Sequence, residues 1–162
     1  MKQLEKIPLE QRIYLDESGI NEYLYREYAR SMRRTVVFGE VSGRRFGRQS
    51  VISALSGGRF LSPMCFEGTC DTQLFNVWLQ QELRPLLTPG QVLILDNASF
   101  HKSAKSQEIV KLAGCEILFL PPYSPDLNPI EKYWANMKRK VRELLPTIPT
   151  LADALDQAVL SM

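Results

Sequence analysis

Two apolar runs in this chain each stop at an aspartate, RIYLD at Asp16 and QVLILD at Asp96. A turn-rich stretch, PPYSPDLNP, then leads into a helical pattern that opens on Glu131. Runs of this kind are buried strands, and an acid is tolerated only where it meets water or a metal instead of the core. Between Asp96 and Glu131 lie 34 residues. Carboxylates collected from distant parts of a chain suit a site in which two cations, about 3.5–4 Å apart, share a few acidic ligands. Three converging acids repel one another unless cations neutralise them, and hard oxygen ligands favour Mg²⁺ or Mn²⁺, here two ions. Two of the acids also have a plainer reading. Asp96 would cap the loop after its strand, and Glu131 would be a favourable charge at a helix N-terminus.

Periodicity supplies the frame around these acids. RIYLD reads as a first strand, and RQSVISALS and RFLSPMCFEG as two more, joined at Ser56-Gly57-Gly58 in a hairpin. Leu74, Phe75, Trp78, Leu79 and Leu83 recur at helical spacing behind Thr69 or Asp71 as N-cap, with Pro85 in the last turn. QVLILD and CEILFLP are short apolar runs suited to strands covered on both faces. A helix over Ser103–Ala113, with Gly114 as its C-cap, separates them. Asn128 is the expected cap of the next helix and Pro129 its first turn. Ile130, Trp134, Met137, Val141, Leu144 and Leu145 form that helix's buried stripe, with Glu131 beside the stripe. Leu151–Leu160 is a final helix. The order βββαβαβα describes an α/β domain with a mixed five-stranded sheet flanked by helices.

At this point the chain resembles a known family. YLDESG, LDNASFHKS and LFLPPYSPDLNPIEKYWANMKRK, with the spacing of 34, are similar to the catalytic domain of Asp-Asp-Glu transposases, in the bacterial insertion-sequence group related to mariner. The resemblance runs from about Arg12 to Leu145. It implies a ribonuclease H-like fold in which the first and fourth strands are central neighbours. It also implies that Asp16, Asp96 and Glu131 are the catalytic, metal-binding acids. The implied reaction is metal-dependent DNA strand cleavage and strand transfer, a cut-and-paste movement. The implied partners are element ends and target duplex, with self-association in the DNA complex and no small-molecule substrate.

Length and charge agree with that reading. With 162 residues the chain holds one core, so residues 1–162 are read as a single catalytic domain. No apolar run approaches the roughly 18 residues of a membrane span, and no signal peptide opens the chain, so a bacterial cytoplasmic location on nucleoid DNA is expected. Cys65, Cys70 and Cys115 lack zinc-like pairing and read as reduced thiols, two of them in strands. Net charge is only +2, but seven arginines against two glutamates fall between Arg26 and Arg48. Lys138, Arg139, Lys140 and Arg142 form a second basic cluster. Such clusters bind phosphate backbones, although a solvated surface is the alternative, more so for the second cluster than for the arginine-rich segment. Arg33, Arg34, Asn97, His101 and Lys102 are accordingly candidate phosphate or DNA contacts. Asn97 has an Asx turn as its alternative, His101 a structural role, and Lys102 simple solvation. Glu17 faces away from Asp16 and is not expected to share its ligand role. Trp78 and Trp134 read as core, and so does Tyr123, with stacking on a DNA base as its alternative.

The resembled family carries amino-terminal helix-turn-helix modules that recognise element ends. Only MKQLEKIPLEQ precedes the first strand, so that recognition is expected to lie outside this chain. Rival functions are a non-catalytic or degenerate element-derived DNA-binding protein, and another ribonuclease H-like nuclease acting on hybrids or junctions. Retention of all three acids weighs against the first, and the phrases DNASFHKS and SPDLNPIEKYW against the second.

Overall fold

The computed structural model describes residues 2–21, 48–122 and 124–162. The Arg-rich connection, including Arg33 and Arg34, lies outside the described residues, and so does Tyr123. The strands are β1 (Arg12–Ile20), β2 (Gln49–Ser56), β3 (Arg59–Glu67), β4 (Val92–Leu95) and β5 (Glu116–Phe119). The helices are α1 (Lys2–Glu5), α2 (Thr72–Trp78), α3 (Ala104–Leu112), α4 (Ile130–Leu144) and α5 (Leu151–Leu160).

One sheet runs β3-β2-β1-β4-β5, so the first and fourth strands are central neighbours as expected. The first three strands pair antiparallel, whereas β4 and β5 join in parallel. A two-residue turn closes the β2–β3 hairpin. Its glycines take φ of 54° and 80°, left-handed values that a side chain would oppose.

Period-two alternation splits the core into two layers. Ile13, Leu15, Leu93 and Leu95 face Phe75, Trp78, Ile109 and Val110 of α2 and α3. On the opposite face, Ile20, Val51 and Leu55 meet Ile130, Trp134, Met137 and Val141 of α4 and the apolar side of α5. Asp71 caps α2, its Oδ1 accepting the Leu74 N–H at 2.8 Å. The α2 turn continues through a wider π-type turn, Leu79–Leu83, into a 3-10 turn ending at Leu86.

Three expectations about local structure need correction. β1 does not end at Asp16. Its parallel pairing with β4 stops at Tyr14 opposite Ile94, but its antiparallel pairing with β2 continues to Ile20 opposite Gln49. Ser18 and Ile20 are buried, so the alternation after Asp16 still describes a strand, hidden in sequence by the polar DESG. Asn128 does not cap α4 through its side chain; Pro129 occupies the cap position, and the amide Oδ1 of Asn128 is buried without a partner. All three cysteines are free, but only Cys65 lies in a strand, because Cys115 precedes β5 by one residue.

Candidate active site

The parting of β1 from β4 creates the site. Asp16 sits just beyond the last paired residues of the two strands, and Asp96 is the first residue after β4. By alternation both aspartates project to the α4 side of the sheet. Glu131 is exposed in the first turn of α4, beside the buried stripe, and turns to the same place. All three acids line one cavity of about 400 Å³, together with Asn97, Asn128, Ser124 and the Leu120–Pro122 backbone turn. A larger groove over α2 contains Lys105 and no carboxylate, so volume does not decide which cavity carries chemistry.

Electrostatics separate the two aspartates. Burial, and then the nearby Glu17 and Glu131 carboxylates, push Asp16 up to about 7. A hydrogen bond from the Trp134 indole N–H to Asp16 Oδ2, 3.1 Å long, partly opposes this. Asp96 is held below the usual carboxylate range, chiefly by His101 and further by the Ala98 N–H, which donates to its Oδ1 at 3.0 Å. The cavity is therefore short of positive charge around Asp16.

The three carboxylates that line the cavity are hard oxygen donors. That set fits a divalent cation of the Mg²⁺ type. Among the described residues no three acidic, histidine or cysteine side chains already stand close enough to enclose an ion.

Other expected contacts divide. Asn97 is exposed and lines the cavity. Lys102 is exposed but does not line the cavity; its ammonium is 5.8 Å from the Phe119 ring centroid and near enough to help hold Asp96 down. His101 is different. Its side chain is fully buried, with no surface turned to a phosphate, and its nitrogens face Glu17 and Asp96. Trp134 is core, stacked on Phe60 at 4.9 Å, but it also holds Asp16. Sequence reading missed that second role. The available signal was spacing, since Trp134 lies one turn after Glu131 and covers the same end of α4.

Trp134→Phe keeps an aromatic ring on Phe60 but removes the donor to Asp16. A hydrogen bond to a charged group is worth about 1.5–3 kcal/mol. Denaturant unfolding near pH 8 should show a loss of that order, and carbon NMR should find the Asp16 carboxyl titrating still higher. An unmoved titration would remove Trp134 from the site.

A family model described as DDE superfamily endonuclease matches residues 11–152. The Transposable element Tc3 transposase of Caenorhabditis elegans is 42% identical over 65 residues, 40% of this chain and 20% of that protein. The Mos1 transposase paired-end complex with left transposon end superposes with a TM-score of 0.63 at 15% identity, covering 99% of this chain and 57% of that one. The catalytic core domain of BIV integrase gives 0.56 at 12% identity, covering 94% and 82%. These likenesses bear out the ribonuclease H-like fold. The chain spans only a fifth of the curated relative and just over half of the transposase structure.

Proposed function

The chain belongs to the DDE superfamily endonucleases, and from that premise we propose that it is the catalytic domain of a DNA transposase, with Asp16, Asp96 and Glu131 as its metal-binding acids. The observation that carries the proposal is the shared cavity, which three acids from β1, the end of β4 and the start of α4 reach from separate parts of the chain. Two divalent cations bound there would supply Lewis acidity and an activated attacking oxygen. The residues supply the rest. Asp16, half-buried and anchored by Trp134, forms the fixed side of the site, while exposed Asp96 and Glu131 form its open side. Strand cleavage and strand transfer are both in-line displacements at phosphorus, so one pocket serves both without a protein nucleophile. Ser124 lines the cavity and Ser99 lies close in sequence, yet neither is assigned attack.

The partners on this reading are element ends and target duplex, with self-association in the DNA complex. The setting is the bacterial cytoplasm; none of the described helices is long and apolar enough to cross a membrane. Incubation of the chain, with an end-binding half supplied, on element-end DNA and Mg²⁺ should yield 3′-hydroxyl ends. No protein–DNA adduct should survive denaturant. An adduct on any side chain would overturn the two-metal mechanism, and cleavage confined to RNA–DNA hybrids would favour the nuclease alternative.

Arg33 and Arg34, together with exposed Arg139 and Arg142 on α4, are proposed to track phosphates. Affinity for duplex DNA should then be sequence-independent and fall steeply with salt. Charge reversal at Arg33 and Arg34 should lower the slope of log affinity against log salt by roughly two. A salt-insensitive affinity would point instead to base-edge recognition.

A further inference from the structure

His101 is enclosed by Phe75 and Phe100, with ring centroids 4.6 and 4.2 Å away, and has no exposed surface. Its backbone carbonyl accepts the buried Ser106 hydroxyl at 2.9 Å, which fixes the 3-10 turn Ser99–Lys102 that carries it. From that box Nε2 lies 2.9 Å from Glu17 Oε1, and Nδ1 lies 2.8 Å from Asp96 Oδ1. The Nδ1 contact is short but its N–H points off the line to the oxygen, so it is an ion pair and not a well-aligned hydrogen bond. Glu17 belongs to β1 and Asp96 follows β4; a single imidazole therefore ties together the two strands at the point where their backbone pairing has ended.

A buried ionic cluster is weak evidence of stabilisation, because apolar residues of the same volume are often as stable. Its position relative to Asp96 is more informative. Asp96 is 54% exposed and has left the strand, so packing does not hold its rotamer. The Ala98 N–H and His101 both act on Oδ1, and Oδ2 has no hydrogen-bond partner among the described residues. Asp16 follows the same plan, with Oδ2 committed to Trp134.

We infer that Glu17 and His101 are positioning residues for the proposed reaction: Glu17 orients the imidazole, the imidazole holds Oδ1 of Asp96, and Oδ2 is thereby presented to a cation. The inference rests on the two-metal reading of the cavity. Outer partners of metal ligands typically contribute about 10–100-fold in metal affinity.

The test compares Glu17→Ala, Glu17→Gln and Glu17→Leu with the unsubstituted chain, using calorimetric titration with Mn²⁺. It adds the Asp96 side-chain rotamer, measured by NMR couplings in metal-free protein. Alanine should weaken Mn²⁺ binding at least about tenfold and leave Asp96 averaging over rotamers. Glutamine still accepts from Nε2–H and should restore most of both. Leucine fills the volume without accepting, so it should behave as alanine does, and it carries the test if the alanine variant does not fold. Wild-type affinity and a single Asp96 rotamer in the leucine or alanine variant would overturn the inference, as would equal losses in the glutamine and leucine variants. Absence of Mn²⁺ binding by the unsubstituted chain would overturn the two-metal reading itself. A fixed Asp96 rotamer lost only in the alanine and leucine variants would still support the positioning of the side chain.

Discussion

Metal-dependent DNA cleavage should fall by at least about a thousandfold when Asp96 is replaced by asparagine, while the fold survives. Lewis-acid stabilisation of the transition state by a bound cation is worth several kcal/mol, and about 4 kcal/mol corresponds to that factor in rate. The exchange is nearly isosteric. An asparagine Oδ1 can still accept from the Ala98 N–H at the place where Asp96 Oδ1 now lies, 3.0 Å away, and it can still face His101. What disappears is the charge on a half-exposed side chain at the cavity mouth. Glu131→Gln should act similarly, because Glu131 is exposed and packs no core. Strand cleavage on denaturing gels, set beside thermal unfolding of the same preparations, checks both. Undiminished cleavage by Asp96→Asn would remove Asp96 from the catalytic machinery.

The elements that position the acids were legible because their signals are local. VLIL is apolar throughout and forms the interior strand expected of a run covered on both faces. The Ile130, Trp134, Met137 and Val141 stripe recurs at helical spacing and is buried as expected, which leaves Glu131 beside it. The end of β1 was not legible. Asp16, Glu17 and Ser18 are polar, and nothing local says that pairing with β2 continues after pairing with β4 has stopped. Asn128 misled for a related reason: it carries the residue type of a cap, but it lines the cavity and its amide oxygen is buried instead of capping α4. Alternation correctly sent Glu17 away from Asp16, yet its partner lies 84 residues later in His101. Tertiary packing alone brings those two together.

Metal-free protein should lose stability as pH rises from about 4 to about 7, and Asp16→Asn should remove that loss. Asp16 has a folded-state value of about 7 against an ordinary 3.8, so the folded state binds its proton more tightly than the unfolded state does. Its contribution is fully present below about 4 and is lost as pH rises through about 7. In full the shift corresponds to about 4 kcal/mol, and relaxation of the open cavity returns part of that. At pH 8 Asp16→Asn should therefore melt about 5 °C or more above the unsubstituted chain, given roughly 2–4 °C per kcal/mol for a domain of this size. Near pH 4, where the carboxyl is protonated in the folded state, the advantage should shrink toward zero. His101 adds a second, separate decline. Burial alone would lower it, but Asp96 and Glu17 outweigh burial and lift it to about 9. Stability from His101 is thus complete below about 6.5 and lost as pH rises through about 9, and Asp16→Asn should leave that leg in place. Mg²⁺ or Mn²⁺ should restore stability at pH 8 in the unsubstituted chain, in proportion to the logarithm of cation concentration, and do far less in the variant. Calorimetric melting at pH 4, 6 and 8, with and without cation, separates these effects. If Asp16→Asn were no more stable than the unsubstituted chain at pH 8, Asp16 would not carry the repulsion that a bound cation is proposed to relieve.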